Sequence, residues 1–106
     1  MNALERTILT RFRELLMKRL QLHKLVLFGS RARGDADPDS DLDVLVVVQG
    51  GIDREVRDYV SDCAWEAGFE HGVVVVPVVF SREEWEEGPE RHSLLAQAVE
   101  TEGVFL

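Results

Sequence analysis

Residues 29–43 read GSRARGDADPDSDLD, and two features of that stretch are spaced for chemistry. Asp41 and Asp43 stand two apart and lead into the apolar run 44–48. Alternate residues of a strand share a face, so a strand starting at Asp41 points both carboxylates the same way. Gly29-Ser30 closes an earlier apolar run, 25–28. A glycine lets the backbone approach an anion closely, and a turn can aim backbone N–H groups at one. Ser30 adds a hydroxyl. Paired carboxylates beside such a turn suit Mg²⁺ and a triphosphate together, because Mg²⁺ accepts carboxylate, water and phosphate oxygens at once. Arg31 and Arg33 lie between the two features. A guanidinium can grip phosphate through two donors, and Arg33 is the candidate for the site, with a structural salt bridge as its alternative role.

The combination resembles the minimal nucleotidyltransferases of the DNA polymerase β superfamily. The motif G-S-x-A-R-G is matched by Gly29-Ser30-Arg31-Ala32-Arg33-Gly34, and S-D-x-D by Ser40-Asp41-Leu42-Asp43. The resemblance implies an α/β fold: a polymerase-β-like core with a small mixed sheet and flanking helices. It implies Asp41 and Asp43 as catalytic metal ligands, with two Mg²⁺ ions when active. It implies Gly29, Ser30 and Arg33 as the nucleotide-binding residues, and ATP or another NTP as substrate. Members of the superfamily usually bring a third carboxylate from the next core strand. Here that strand, GVVVVPVVF over residues 72–80, contains no acid. Glu70 and Glu83 are the nearest flanking acids, and neither holds the mid-strand position.

The elements that must position these residues follow from periodicity. Leu4, Ile8, Phe12, Leu15, Leu16 and Leu20 recur at three- and four-residue spacing and predict a helix over residues 3–21. Residues 25–28 predict a short strand and residues 42–48 a second, separated by a polar loop over 35–40 with Pro38. Asp53 is placed to cap a helix carrying Val56, Tyr59, Val60, Cys63, Ala64 and Ala67, with Gly68 near its end. The run 73–80 reads as a third strand buried on both faces, although Pro77 belongs on an edge or at a bulge. Ser81 and Glu84 have capping-box spacing for a short helix. Leu94, Leu95, Ala98 and Val99 predict a last helix, and 104–106 a final short strand. An apolar edge strand invites pairing with another chain, so a partner or a second copy is expected at the third strand.

The remaining residue types read as structural. Cys63 is a buried small residue that cannot form an internal disulfide. His71 and His92 lack metal-ligand spacing and read as surface residues. Trp65 reads as partly buried in the core, and Trp85 as cover for the sheet end.

A chain of 106 residues reads as one domain over 1–106. No apolar run reaches the roughly 18 residues of a membrane span, and MNALERTILTRF is not a signal peptide. With one cysteine, a reduced cytoplasmic setting is expected. The net charge is −8, split into +6 over residues 1–34 and −14 over 35–106. So acidic a body argues against strong nucleic-acid binding.

Two functions are in play. One is transfer of AMP from ATP to a protein or RNA hydroxyl. Resemblance to minimal members paired with small helical HEPN-domain proteins implies an antitoxin role, with such a protein as partner. The other is a nucleotide-binding antitoxin or regulatory module without transfer, which the missing third carboxylate favours.

Overall fold

Asn2 starts the first helix. Its side chain accepts from the Glu5 N–H at 2.8 Å, and Glu5 Oε1 accepts from the Asn2 N–H at 2.8 Å, a reciprocal capping box. The computed structural model describes residues 1–34, 37 and 39–106. The first helix, α1, spans Ala3–Met17 and buries Ile8, Leu9, Phe12, Leu15 and Leu16 along one face. It is shorter than the periodicity predicts. Leu4 is 40 % exposed, and Leu20 falls after the helix has turned away.

Strand β1 covers Leu22–Phe28 and strand β2 covers Leu42–Val48. They pair antiparallel, with Leu27 opposite Val44 and Phe28 opposite Asp43. This register carries Gly29 past Asp43. β1 begins three residues earlier than its apolar run, because His23 and Lys24 join the sheet across an irregularity between Leu22 and Lys24. Between the two strands, Ser30–Arg33 form one helical turn, α2, closed by Gly34 in the left-handed region. The polar loop predicted over 35–40 lies partly outside the described residues, at Asp35, Ala36 and Pro38.

Helix α3, Arg54–Phe69, is capped by Asp53, whose side chain accepts from the Val56 N–H at 2.9 Å. It crosses to strand β3, Val75–Ser81, which pairs parallel with β2. The crossover needs a tight landing at Gly68, where a Cβ would stand 2.0 Å from the Val73 carbonyl oxygen. Helix α4, Arg82–Glu87, has the expected Ser81–Glu84 capping box. A 3₁₀ turn, Pro89–His92, leads to α5, Leu94–Glu102, and to strand β4, Val104–Phe105. The sheet order is β3-β2-β1-β4, mixed in direction.

Alternation on β2 divides the core in two. Leu42, Val44, Val46 and Val48 pack under α1 and α3. Leu45 and Val47 pack with Val26 against Trp85, Ala96 and Val99 of α4 and α5. Trp85 thus covers a sheet face rather than a sheet end. Asp43 shares the parity of Leu45 and Val47 and lies on the α4–α5 face. The all-apolar third strand departs from the expectation of burial on both faces. β3 is at the sheet edge, where Pro77 is tolerated; Val75 is buried, but Val76 is 36 % exposed, and Val74, just before the strand, 60 %. Trp65 is likewise not core. It is 66 % exposed and stacks on the exposed Phe69, with ring centroids 4.6 Å apart. Cys63 is buried, as expected. Among the described residues no helix is long and apolar enough to cross a membrane.

Glu5 and Arg31 form an ion pair at 3.4 Å, each side chain only 6 % exposed. It ties the start of α1 to α2. Glu5→Ala removes this buried contact together with the Asn2 capping bond, so it should lower unfolding free energy in urea titration by about 1–3 kcal/mol. A loss of under about 1 kcal/mol for the single variant would show that the pair is effectively solvated.

Candidate functional site

Gly29 ends β1 with φ 79° and ψ −159°, a backbone region open essentially to glycine alone. A second constraint acts there. A Cβ on Gly29 would stand 2.6 Å from Asp43 Oδ2, below any contact distance. The turn and the Asp43 carboxylate are therefore in direct apposition, and a side chain at Gly29 would push the carboxylate from this position. Beyond Gly29 the chain coils at once: the Ala32 and Arg33 N–H groups both donate to the Gly29 carbonyl at 3.1 Å. Ser30, partly exposed, begins that coil.

Asp43 is half-buried at the start of β2, and Asp41 is exposed just before it. The Asp43 carboxyl is held above the usual carboxylate range. Burial is the largest cause and the Asp41 charge the second, partly opposed by the Arg33 guanidinium. Asp41 and Asp43 thus feel one another, as two carboxylates gathered for a cation would. The described residues contain no group of three or more His, Cys, Asp or Glu that could hold a metal. A divalent ion here would take two protein carboxylates and complete its shell with water and phosphate oxygens, the coordination Mg²⁺ favours.

The two arginines of the turn divide. Arg31 is buried; its Nε donates to the Ser40 carbonyl at 2.8 Å and its Nη1 to Glu5 Oε2 at 3.4 Å. Arg31 thereby fastens α2 to both the helix before it and the residue preceding Asp41. Arg33 is 47 % exposed and meets Glu102 at the end of α5, with Nη1–Oε2 at 3.0 Å. It is also the arginine whose charge reaches Asp43. Glu5 and Glu102, the carboxylates that hold these arginines, carry no motif signal in the sequence. Glu5 has a capping-box cue with Asn2, and Glu102 has none.

The third strand runs beside Asp43 without supplying an acid. Val76 is in register with Asp43 and shares its face, whereas Val75 is in register with Leu42 and points into the α1–α3 core. Glu83 cannot substitute. Ser81 is in register with Val48, so Glu83 lies beyond the far end of the sheet, roughly 16 Å along the strand. Glu70 is at the near end as the C-cap of α3, but is exposed. His71 and His92 are exposed, in keeping with their surface reading.

Residues 6–100 match the nucleotidyltransferase domain family, and the chain belongs to that family. Two Methanocaldococcus jannaschii proteins are similar to it, provisionally named protein adenylyltransferase MJ0604 and MJ0141. The first is 42 % identical over 63 residues, 59 % of this chain and 58 % of the relative. The second is 29 % identical over 62 residues, 58 % of this chain and 63 % of the relative. The match thus spans about three fifths of those relatives' length. Among solved structures, a toxin–antitoxin crystallised with AMP-PNP superposes with TM-score 0.63 at 23 % identity, over 91 % of this chain and 69 % of that one. A Sulfolobus solfataricus protein described as a nucleotidyltransferase, again provisionally, superposes with TM-score 0.52 at 19 % identity, over 99 % and 86 %. At these identities the superpositions establish the fold.

The raised proton affinity of Asp43 has a consequence for stability. The folded chain holds this proton more tightly than the unfolded chain does. The associated stability is therefore complete below the ordinary carboxylate pKa and is lost as pH rises through the raised folded value. Asp43→Asn removes that loss. In EDTA at neutral pH the variant should melt above the wild type, and the difference should close near about pH 3. Equal melting temperatures across that range would show that the ionised carboxylate is not strained.

Proposed function

We propose that this chain is a Mg²⁺-dependent nucleotidyltransferase core that transfers AMP from ATP to a hydroxyl of a protein or RNA. The observation that carries the reading is the apposition of Gly29 to Asp43, with Asp41 close enough to perturb it. Family membership and the adenylyltransferase names of the relatives support the reaction class. The acceptor oxygen forms a bond to the α-phosphorus, the bond to the bridging oxygen breaks, and pyrophosphate leaves. Bound divalent ions would offset the charge of that transition state and hold the attacking and leaving oxygens. Asp41 and Asp43 would hold the ions. Gly29, Ser30 and Arg33 would receive the phosphates.

The biological setting we propose is that of an antitoxin whose partner is a separate small helical protein of HEPN type. Structural neighbours described as toxin–antitoxin complexes, MntA-HpeT among them, support it. Incubation with α-labelled ATP, Mg²⁺ and the protein encoded next to it should place label on that protein. Asp41→Ala and Asp43→Ala should each abolish labelling and Mg²⁺-dependent ATP binding while leaving the fold intact. Binding of ATP undiminished by EDTA would sink the metal-dependent reading.

A second reading is favoured by one observation: Val76 occupies the place, in register with Asp43, where an acid could take the acceptor's proton. On that reading the chain binds nucleotide and partner without fast transfer. Substitution separates the two. Val76→Asp should raise transfer, since a positioned base contributes about 10²–10⁴-fold. Val75→Asp buries an unpaired charge in the core and should destabilise the fold by about 3 kcal/mol or more. A folded, nucleotide-binding Val76→Asp variant with no gain in activity would move the binding module ahead.

A further inference from the structure

The end of α5 delivers a carboxylate into the turn that the proposed function assigns to phosphate. Glu102 Oε1 accepts from the Gly29 N–H at 3.3 Å, and Arg33 Nη1 donates to Oε1 at 3.3 Å and Oε2 at 3.0 Å. Glu102 is held there by its surroundings. α5 is anchored through buried Ala96 and Val99. Immediately after it, Val104 pairs with Leu27 and the Leu106 N–H donates to the Leu25 carbonyl at 2.9 Å. The Glu102 side chain is 19 % exposed, so solvent lies within reach of a changed rotamer.

Resting on the nucleotide-binding reading, we propose that Glu102 is a built-in competitor for nucleotide phosphate, a carboxylate that occupies the Gly29 N–H and the Arg33 guanidinium until a triphosphate displaces it. The chemistry is that of an anion standing where another anion binds. A backbone N–H has one hydrogen, and Gly29 gives its hydrogen to Glu102. A residue that merely oriented Arg33 would leave the Gly29 donor to the ligand. Glu102 takes both, and it adds negative charge beside a site that already contains Asp41 and Asp43. Displacement would send the carboxylate to solvent and release a contact between α5 and the turn, so nucleotide occupancy and the anchoring of the C-terminal helix are linked.

The test is calorimetric titration of wild type, Glu102→Gln and Glu100→Gln with Mg-ATP and with Mg-pyrophosphate. Glu100→Gln removes the same charge from the same helix, two residues away at an exposed position. Glu102→Gln should bind both probes roughly three- to tenfold tighter than wild type, and Glu100→Gln should be unchanged. Glu102→Asp keeps the charge but shortens the reach to Gly29, and should also tighten binding, which protects the test should Glu102→Gln fold poorly. Wild-type binding with equal or weaker binding by both Glu102 variants overturns the competitor and leaves the nucleotide reading standing. Equal tightening by Glu100→Gln also overturns it, since net charge alone would then explain the gain. No binding of either probe by any of the four proteins overturns both.

Discussion

The site depends on one steric fact: the bare Cα of Gly29 lies against the Asp43 carboxylate. The antiparallel pairing of β1 with β2 sets it, because Phe28 opposite Asp43 brings the next residue so close to that carboxylate that a Cβ there would displace it. The left-handed φ at the same residue then swings the chain into α2 rather than onward along the sheet. Without that departure the turn's backbone and Arg33 would run past the carboxylates instead of curling beside them. Glycine is thus required here for backbone freedom, and its bare Cα also leaves the carboxylate undisturbed.

Around this contact the charges are arranged in tension. Burial costs the Asp43 carboxylate most, and repulsion from Asp41 adds to that cost. Arg31, one turn away, does not relieve it, being committed to Glu5 and the Ser40 carbonyl. That commitment explains why two arginines separated by one residue serve different ends. On a single helical turn they point in different directions, one into the α1 junction and one toward Asp43 and Glu102. The buried pair fastens α2 to α1; the second pair, with Arg33 47 % and Glu102 19 % exposed, is more open to screening by water.

Much of this architecture was legible in the chain, and the legible parts share a cause. Asp53, Ser81 with Glu84, and the apolar run of β2 that follows Asp43 are local signals, read within a few residues, and the fold obeys them. The misreadings are non-local. The run 73–80 looks like a doubly buried strand, but burial depends on what lies on the far side, and β3 has no neighbour there among the described residues. Trp65 lies on the same open flank, so a residue type that usually packs inward stacks on Phe69 at the surface instead. Helix α1 stops short because Lys18 and Arg19 begin the turn toward β1. Within the site, the Gly-Ser and Asp-x-Asp spacing marks the turn and the carboxylates. Glu5 and Glu102 arrive from 24 residues before and 73 residues after Gly29, contacts that spacing cannot reveal.

The open flank bears on what such a site can accept. Val76 is in register with Asp43 and, at the sheet edge, borders an apolar groove that Val74, Phe69 and Trp65 also line. The opposite side of Asp43 is the polar one, lined by Gly29, Arg33 and Glu102. On the proposed reading a triphosphate would lie with the N–H and guanidinium donors, and an acceptor would approach over the valines. An acid at Val76 would make that approach chemically assisted but electrostatically worse for a third anion near Asp41 and Asp43. A valine there reverses both effects: it removes a base and a negative charge together. On the nucleotidyltransferase reading proposed above, Val76 would therefore bear on the transfer step rather than on the N–H and guanidinium donors that would receive the phosphates, so affinity and rate would not rise or fall in step.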